Sequence, residues 1–390
     1  VHQRRRGTRF HAAVAAVIAV VMLLPVGTLA EEPVHGLVDS PDEPADLANW
    51  NPDVHPSPWF ETWDFWMWAD DGTFVFVQFV TSSFGFGIER KASGRMIVVE
   101  PGAVSDGSPA DGVAFADRGW EWESGDWSWE ETPLDLTFRD CHLRGDGETF
   151  EIRMRGRDHL ATLEVTLHAD EPLHRPGDGR LSYGWEQRTF YDQEALPRFR
   201  FEGRINRKER RDDPDDWQSL RGTGYGEHTL TNGQPHQVAD AFHAFRALRP
   251  DGLSIVFDTV VVPPGFGART LGWATVALDG QRLFESTEVV FAPSSSFTHE
   301  DGAARYVVPT AYEMEAHDGD NWVRVQFFDA ELVASESLFA RLSAFLRRVL
   351  GAMMAPYDFE QSGAYRAWVH IDGHTAFVTG RGWSTSNFTR

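Results

Sequence analysis

The chain has 390 residues and a formal net charge of −23, which leaves no basic surface for nucleic acid or for strong binding to anionic lipid headgroups. Its one cysteine, Cys141, excludes an internal disulfide, so apolar burial has to hold the fold and the thiol reads as a small buried residue. The length suits roughly two domains.

At the start, Arg4, Arg5, Arg6 and Arg9 precede an uncharged apolar stretch from Ala12 to Leu24 and a small-residue site ending in Thr28-Leu29-Ala30. A basic head, a short apolar core and a small residue at the cut make an export signal, and the apolar run falls short of the ~20 residues a spanning helix needs. Residues 1–30 are therefore expected to be a cleaved signal peptide, with the mature chain secreted or periplasmic. Their removal takes four positive charges and no acid from −23, leaving −27. Residues 31–47 are acidic and proline-rich without periodicity, and are expected to form a disordered tail.

From Glu61 the pattern becomes period-two and aromatic. Trp63, Phe65 and Met67 alternate along one predicted strand, Asp71-Gly72 turns the chain, and Phe74–Val80 forms the next. The same signal recurs at Asp146-Gly147, Asp251-Gly252, Asp279-Gly280 and Asp372-Gly373, and Ser124-Gly125-Asp126 separates two Trp/Glu ribbons. Many short strands with regular turns mean an antiparallel all-β sandwich or barrel. The mixed charge run Asn206–Trp217 is the expected internal boundary, giving units of 48–210 and 218–385. One helix is expected, over Glu336–Met354, where Leu338, Leu342, Phe345, Val349 and Met353 follow the helical period before Pro356.

Glu61-Thr62-Trp63-Asp64-Phe65-Trp66, with Asp70-Asp71-Gly72 and Val77-Gln78, resembles the start of the fungal survival-factor family. The likeness continues through Phe138-Arg139-Asp140-Cys141, Phe201-Glu202-Gly203-Arg204-Ile205, Pro235-His236 and Pro263-Pro264-Gly265-Phe266-Gly267. That resemblance implies two tandem lipocalin-like antiparallel barrels, and a role in lipid handling and oxidative stress. The family is intracellular, whereas this chain is expected to be exported, so its cellular role does not carry over. The wider superfamily includes carotenoid 1,2-hydratases. Gly222-Thr223-Gly224-Tyr225-Gly226-Glu227-His228 resembles their Gly-x-x-Tyr-x-Asp-His segment, with a glutamate in place of the aspartate.

With 28 Phe and 15 Trp, a barrel has rings to spare for its interior, and Trp63, Phe65, Phe76, Tyr225 and Phe242 are the expected ligand-binding residues. Tyr225, Glu227 and His228 are the catalytic candidates. Alternation puts the first two on one face and His228 on the other. A carboxyl of raised pKa at Glu227 would protonate an alkene, with Tyr225 as relay; the plainer alternative is a structural hydrogen-bonded pair. His236, Asp240 and His243 do not share a strand face, so no metal site is expected. No cofactor is expected either. Asn387-Phe388-Thr389 is formally a glycosylation sequon. The expected function is carriage of a lipid or isoprenoid-like apolar molecule outside the cytoplasm. The alternatives are a hydratase, isomerase or cyclase with Glu227 as general acid, and a secreted structural module.

Overall fold

The computed structural model describes residues 60–82, 91–100, 127–130, 134–156, 160–177, 180–183, 189–208, 210–231, 238–264, 268–301, 304–337 and 356–389. Through them run β1 (Phe60–Ala69), β2 (Phe74–Ser82), β3 (Lys91–Val99), β4 (Trp127–Glu130), β5 (Leu134–Phe138), β6 (Cys141–Gly145), β7 (Thr149–Arg155), β8 (Ala161–Ala169), β9 (Arg180–Tyr183) and β10 (Thr189–Arg207). There follow β11 (Trp217–Thr231), β12 (Ala241–Leu248), β13 (Leu253–Val261), β14 (Thr270–Leu278), β15 (Gln281–Ser286), β16 (Glu288–Asp301), β17 (Ala304–Asp318), β18 (Asn321–Ser337), β19 (Tyr357–Ile371) and β20 (His374–Phe388). The expected signal and tail lie outside the described residues. So does the predicted helix from residue 338 to 354; Glu336 and Ser337, its first two positions, end β18.

The strands form two antiparallel sheets, as the all-β reading expects. One runs β3-β2-β1-β11-β10-β8-β7-β6-β5-β4, with β9 on β10, and the other β15-β14-β13-β12-β20-β19-β18-β17-β16. All five Asp-Gly pairs join consecutive strands. Asp279 (φ 50) with Gly280 (φ 78), and Asp372 (φ 51) with Gly373 (φ 76), have the two left-handed residues that a two-residue hairpin of right-handed twist requires. Ser124-Gly125-Asp126 lies outside the described residues, just ahead of β4.

The charge run is not a link between sheets. Asn206 pairs with Trp217 at the tip of the β10–β11 hairpin, so 218–231, expected in the second unit, is a strand of the first sheet. The second sheet begins at Ala241. A solvated hairpin tip and a linker share the same charged composition, and composition alone cannot separate them.

Each sheet curls round a core filled by side chains. Trp63, Phe65 and Met67 of β1 pack with Val77 and Phe79 of β2 and with Phe138, Phe150 and Phe199 from across the curl. At Gly94, on edge strand β3, an added Cβ would meet Met154 of β7 at 2.7 Å and Phe138 of β5 at 2.8 Å, so glycine lets the sheet close on itself. The second core sets Phe245 edge-on to Phe327 and Tyr365, at 6.0 and 5.4 Å. A third cluster joins the outer faces: Trp66, Phe74, Phe76 and Tyr225 of the first sheet pack with Val256, Trp273 and Trp383 of the second. Strand β1 is therefore buried on both faces, continuously from Glu61 to Met67.

Candidate functional site

Alternation along β1 sends Thr62, Asp64, Trp66 and Trp68 to the seam between the sheets. Strand register then sets Arg95, Gln78, Asp64 and Glu227 in one row across β3, β2, β1 and β11. The next row is Ile97, Phe76, Trp66 and Tyr225, which is largely aromatic. The second sheet offers its own row: Glu360, Thr385, Ala244 and Asp258 across β19, β20, β12 and β13.

Between these rows lies a cavity of about 140 Å³. Trp66, Phe76 and Arg246 line one end, and Asp64, Glu227, Asp258 and Glu360 line its middle. Phe60, Val238, Phe242, Pro356 and Phe388 line the other end.

The two arginines are already engaged. Arg246 lies over two neighbouring rings, its guanidinium carbon 4.2 Å from the Trp66 ring centre and 4.1 Å from that of Tyr225. It donates from Nη1 to Thr385 Oγ1 (2.9 Å) and from Nη2 to Glu227 Oε2 (3.3 Å), and Tyr225 Oη donates to the same glutamate oxygen (3.1 Å). Arg95 Nη1 lies 2.5 Å from Asp358 Oδ2 and 3.6 Å from Glu336 Oε2.

Three lining carboxyls are left over. Asp64, Asp258 and Glu360 make no ion pair among the described residues and take only neutral donors. Thr62 Oγ1 donates to Asp64 Oδ2 (3.1 Å), and Gln193 Nε2 to Asp258 Oδ2 (3.0 Å). Trp66 Nε1 and Thr385 Oγ1 donate to Glu360, at 3.0 and 2.9 Å. A carboxylate without a cation is costly to bury, so the neutral acid is favoured. Burial, with the Glu227 charge added, pushes Asp64 up to about 8 and Asp258 up to about 7. Burial also raises Glu360 and Glu227, and in Glu227 Arg246 and Tyr225 work against it.

Four buried polar atoms on lining residues have no hydrogen-bond partner in the structure: Asp64 Oδ1, Arg95 Nε, Arg246 Nε and Asn387 Oδ1. The first three residues are 7%, 5% and 2% exposed, and Asn387 is half-buried.

Among the residues expected from sequence, Phe76, Phe242 and Glu227 line the cavity, and Tyr225 is packed under Arg246. Trp63 and Phe65 do not; they belong to the filled first core. His228 faces that core as well, stacked on Trp63 at 5.1 Å. Its Nε2 lies 2.8 Å from Glu61 Oε1 and its Nδ1 3.3 Å from Glu194 Oε2, which Arg175 also joins through Oε1 at 2.7 Å. These carboxylates hold the imidazolium up to about 9 against its burial. The glycines before His228 serve the same core. A Cβ at Gly224 would stand 2.3 Å from the Phe199 ring.

Asp64, Arg95, Arg246, Asp258 and Glu360 were not anticipated. A signal was available for three of them: single charged residues inside apolar strand runs, as in Trp63-Asp64-Phe65, Phe245-Arg246-Ala247 and Val256-Phe257-Asp258. His236 lies outside the described residues. His243 packs on Phe291 at 4.8 Å and bonds Ser386 Oγ at 3.0 Å, and burial holds it down at about 4. No group of three metal-ligating side chains occurs among the described residues. In the sequon, Asn387 lines the cavity and Thr389 is buried.

Two curled antiparallel sheets with an acid-lined seam define a lipocalin-like all-β protein. No protein-family model matches the chain. Weak homology links it to the survival-factor proteins: 169 residues are 22% identical to ceramide-binding protein svf1 of Schizosaccharomyces pombe, a match spanning 41% of each chain. Solved structures share the fold across nearly the whole chain. An AttH candidate from Nitrosomonas europaea is 14% identical with a TM-score of 0.57, covering 90% of this chain and all of that one. CghA is 12% identical with a TM-score of 0.53, covering 92% and 98%. Kievitone hydratase from Nectria haematococca is 11% identical with a TM-score of 0.51, covering 92% and 97%.

Proposed function

We propose that this protein is an acid–base enzyme of the hydratase or isomerase kind, acting on a small, largely apolar molecule in the seam cavity. The observation that carries the reading is the Asp64–Glu227 pair, neighbours across β1 and β11. Asp64 makes no ion pair among the described residues, and burial beside Glu227 pushes it up to about 8. Glu227 has Arg246 and the Tyr225 hydroxyl on one oxygen. A carboxyl without an ion pair beside one that Arg246 stabilises as its anion is suited to give a proton while its neighbour takes one.

Asp64 is then the acid. Glu227, expected from the sequence to be the acid, takes the base's part because Arg246 stabilises its charge. In water addition, the Asp64 proton passes to one alkene carbon and the water oxygen bonds to the other. The water's proton goes to Glu227 and returns to Asp64 through solvent. The Trp66 and Phe76 rings favour positive charge developing on the substrate. A cavity of about 140 Å³ suits one ring or one branched head, since an engineered cavity of ~150 Å³ holds benzene. The fold likeness to a hydratase supports the same class.

A second reading is lipid binding, favoured by the similarity to a ceramide-binding protein and by the apolar Phe60, Phe242 and Phe388 end of the cavity. Export belongs to either reading as a proposal, checked by an intact mass that begins at Glu31.

Incubation of the purified protein with a panel of phenolic and isoprenoid alkenes in deuterated water tests the choice. Mass spectrometry should find deuterium or added water in at least one substrate, falling by ~10²–10⁴-fold with Asp64→Asn. No incorporation, together with one long-chain lipid per protein recovered by organic extraction, would overturn catalysis in favour of carriage.

A further inference from the structure

Strand β20 carries an open edge. It runs from His374 to Phe388, but β12 pairs with it only from Trp383 to Phe388, whereas β19 pairs with it along its whole length. Turn geometry decides which backbone groups face outward. Asp372 and Gly373 make a two-residue hairpin, so Ile371 and His374 form the hydrogen-bonded pair next to it, and such pairs alternate from there. His374, Ala376 and Val378 therefore bond to β19, while Thr375, Phe377 and Thr379 turn their N–H and C=O groups away from it. Arg249 agrees with that direction, since its Nη1 donates to Thr379 O at 2.7 Å. Its side chain also closes that end of the edge. Thr375 and Phe377 keep two N–H and two C=O groups with no strand beside them among the described residues.

Proteins protect such edges with charge, proline or a bulge, because an open edge accepts another strand. β16, at one end of the same sheet, has Pro293, two register shifts around Ser295, and Glu288, Glu300 and Asp301. β15, at the other end, has Arg282 and Glu285. From His374 to Gly380 there is no proline, lysine, arginine or acid, and no register shift. Phe377 stands in the middle of this stretch, 58% exposed, its ring 5.3 Å from that of Trp368 on β19.

We propose that this edge pairs with the same edge of a second copy of the chain, antiparallel, about a two-fold axis at Ala376. Thr375 and Phe377 are two residues apart, so that axis sets each opposite the other in the partner. Each such pair exchanges two backbone hydrogen bonds, four in all. Ala376 meets its own copy in the close, non-hydrogen-bonded pair between them, where a small side chain fits. Charge favours the same register. It carries Asp372 of each copy opposite Gly380 of the other, between Thr379, where Arg249 is bound, and Arg381. An exposed acid thus approaches two arginines at each end of the pair, and the two-fold axis makes both ends alike.

Sedimentation equilibrium of the purified protein should give twice the monomer mass in the micromolar range, with dissociation on dilution and at high salt. Phe377→Pro removes an outward N–H and no bond to β19, so it should weaken the dimer ~10-fold or more while the melting temperature holds. Phe377→Lys, a charge of the kind that natural edges use, should do the same, and stands in if proline lowers the melting temperature. Cross-linking reads the register. Ala376→Cys puts two thiols on the axis, where the Cα atoms of a non-hydrogen-bonded pair lie ~4.5 Å apart, a separation that a disulfide spans. Oxidation should link that variant into a dimer, with Cys141 buried and out of reach. Thr375→Cys, two positions out of register with its own copy, should stay unlinked.

A wild-type protein that is monomeric at every concentration would overturn the proposal, even if an added extended peptide bound the edge instead. So would a dimer that dissociates alike in wild type and in folded Phe377→Lys, or a Thr375→Cys protein that links as readily as Ala376→Cys.

Discussion

Two polar clusters sit back to back on β1 and β11, one residue apart in sequence and opposite in kind. Inside the first sheet, His228 bridges Glu61 and Glu194, and Arg175 also pairs with Glu194. On the seam face, Arg246 is engaged by Glu227 and Arg95 by Asp358, while Asp64 makes no ion pair among the described residues. The inner cluster joins β1, β10 and β11, and each of its acids is in an ion pair. The seam cluster keeps a proton on a carboxyl and leaves donors unpaired beside a cavity. Charge matching makes a staple, and its deliberate shortfall makes a site that can move protons.

The largest expected effect separates the two clusters by activity. Asp64→Asn or Glu227→Gln should lower turnover by ~10²–10⁴-fold with little loss of stability, as measured by product formation and urea melting. His228→Leu should do the reverse. Taking the imidazolium from between Glu61 and Glu194 breaks two buried pairs, with Arg175 still on Glu194, and costs ~3–5 kcal/mol in unfolding free energy, while cavity binding persists. A His228→Leu protein of unchanged stability would break the comparison.

pH sharpens it further. Asp64 is raised from 3.8 to about 8, so the fold keeps a proton that the unfolded chain gives up, and stability from this group falls as pH climbs between those values. His228 is raised from 6.5 to about 9, so its contribution is complete below 6.5 and is lost as pH rises through about 9. Buried His243, held down at about 4, makes stability rise with pH between about 4 and 6.5, so each group is read from a difference of urea melts. Wild type minus Asp64→Asn should decline between about pH 4 and 8, and wild type minus His228→Gln between about pH 6.5 and 9. A difference that rises with pH would contradict the assignment it tests.

The smallest effect is expected at Asp258. Asp258→Asn keeps a group able to accept from Gln193 and removes a carboxyl whose charge is disfavoured, so stability should change by less than ~0.5 kcal/mol. A large loss would mean that Asp258 is ionised and carries structural weight.

Much of the fold was legible because its signals are local. Asp-Gly between alternating runs turns the chain through a left-handed glycine, whatever lies beyond, and all five pairs join consecutive strands. Alternation on β11 separates Tyr225 and Glu227 from His228 by strand geometry alone. The sheet boundary was not legible, because Asn206–Trp217 has the composition of a linker and the position of a hairpin tip. Nor was the destination of the aromatic faces. Trp63 and Phe65 belong to a filled core, while Trp66 and Phe76, on the opposite face of the same sheet, line the cavity.

By itself, then, the sequence determined an all-β chain, its hairpins, and Glu227 as a carboxyl of interest. Tertiary structure alone decided that the site lies between the sheets. Asp64 meets Arg246, Asp258 and Glu360 only when the outer face of one curled sheet packs on the other. Burial and the count of cations within reach, which set each carboxyl's proton, exist only in that packed state.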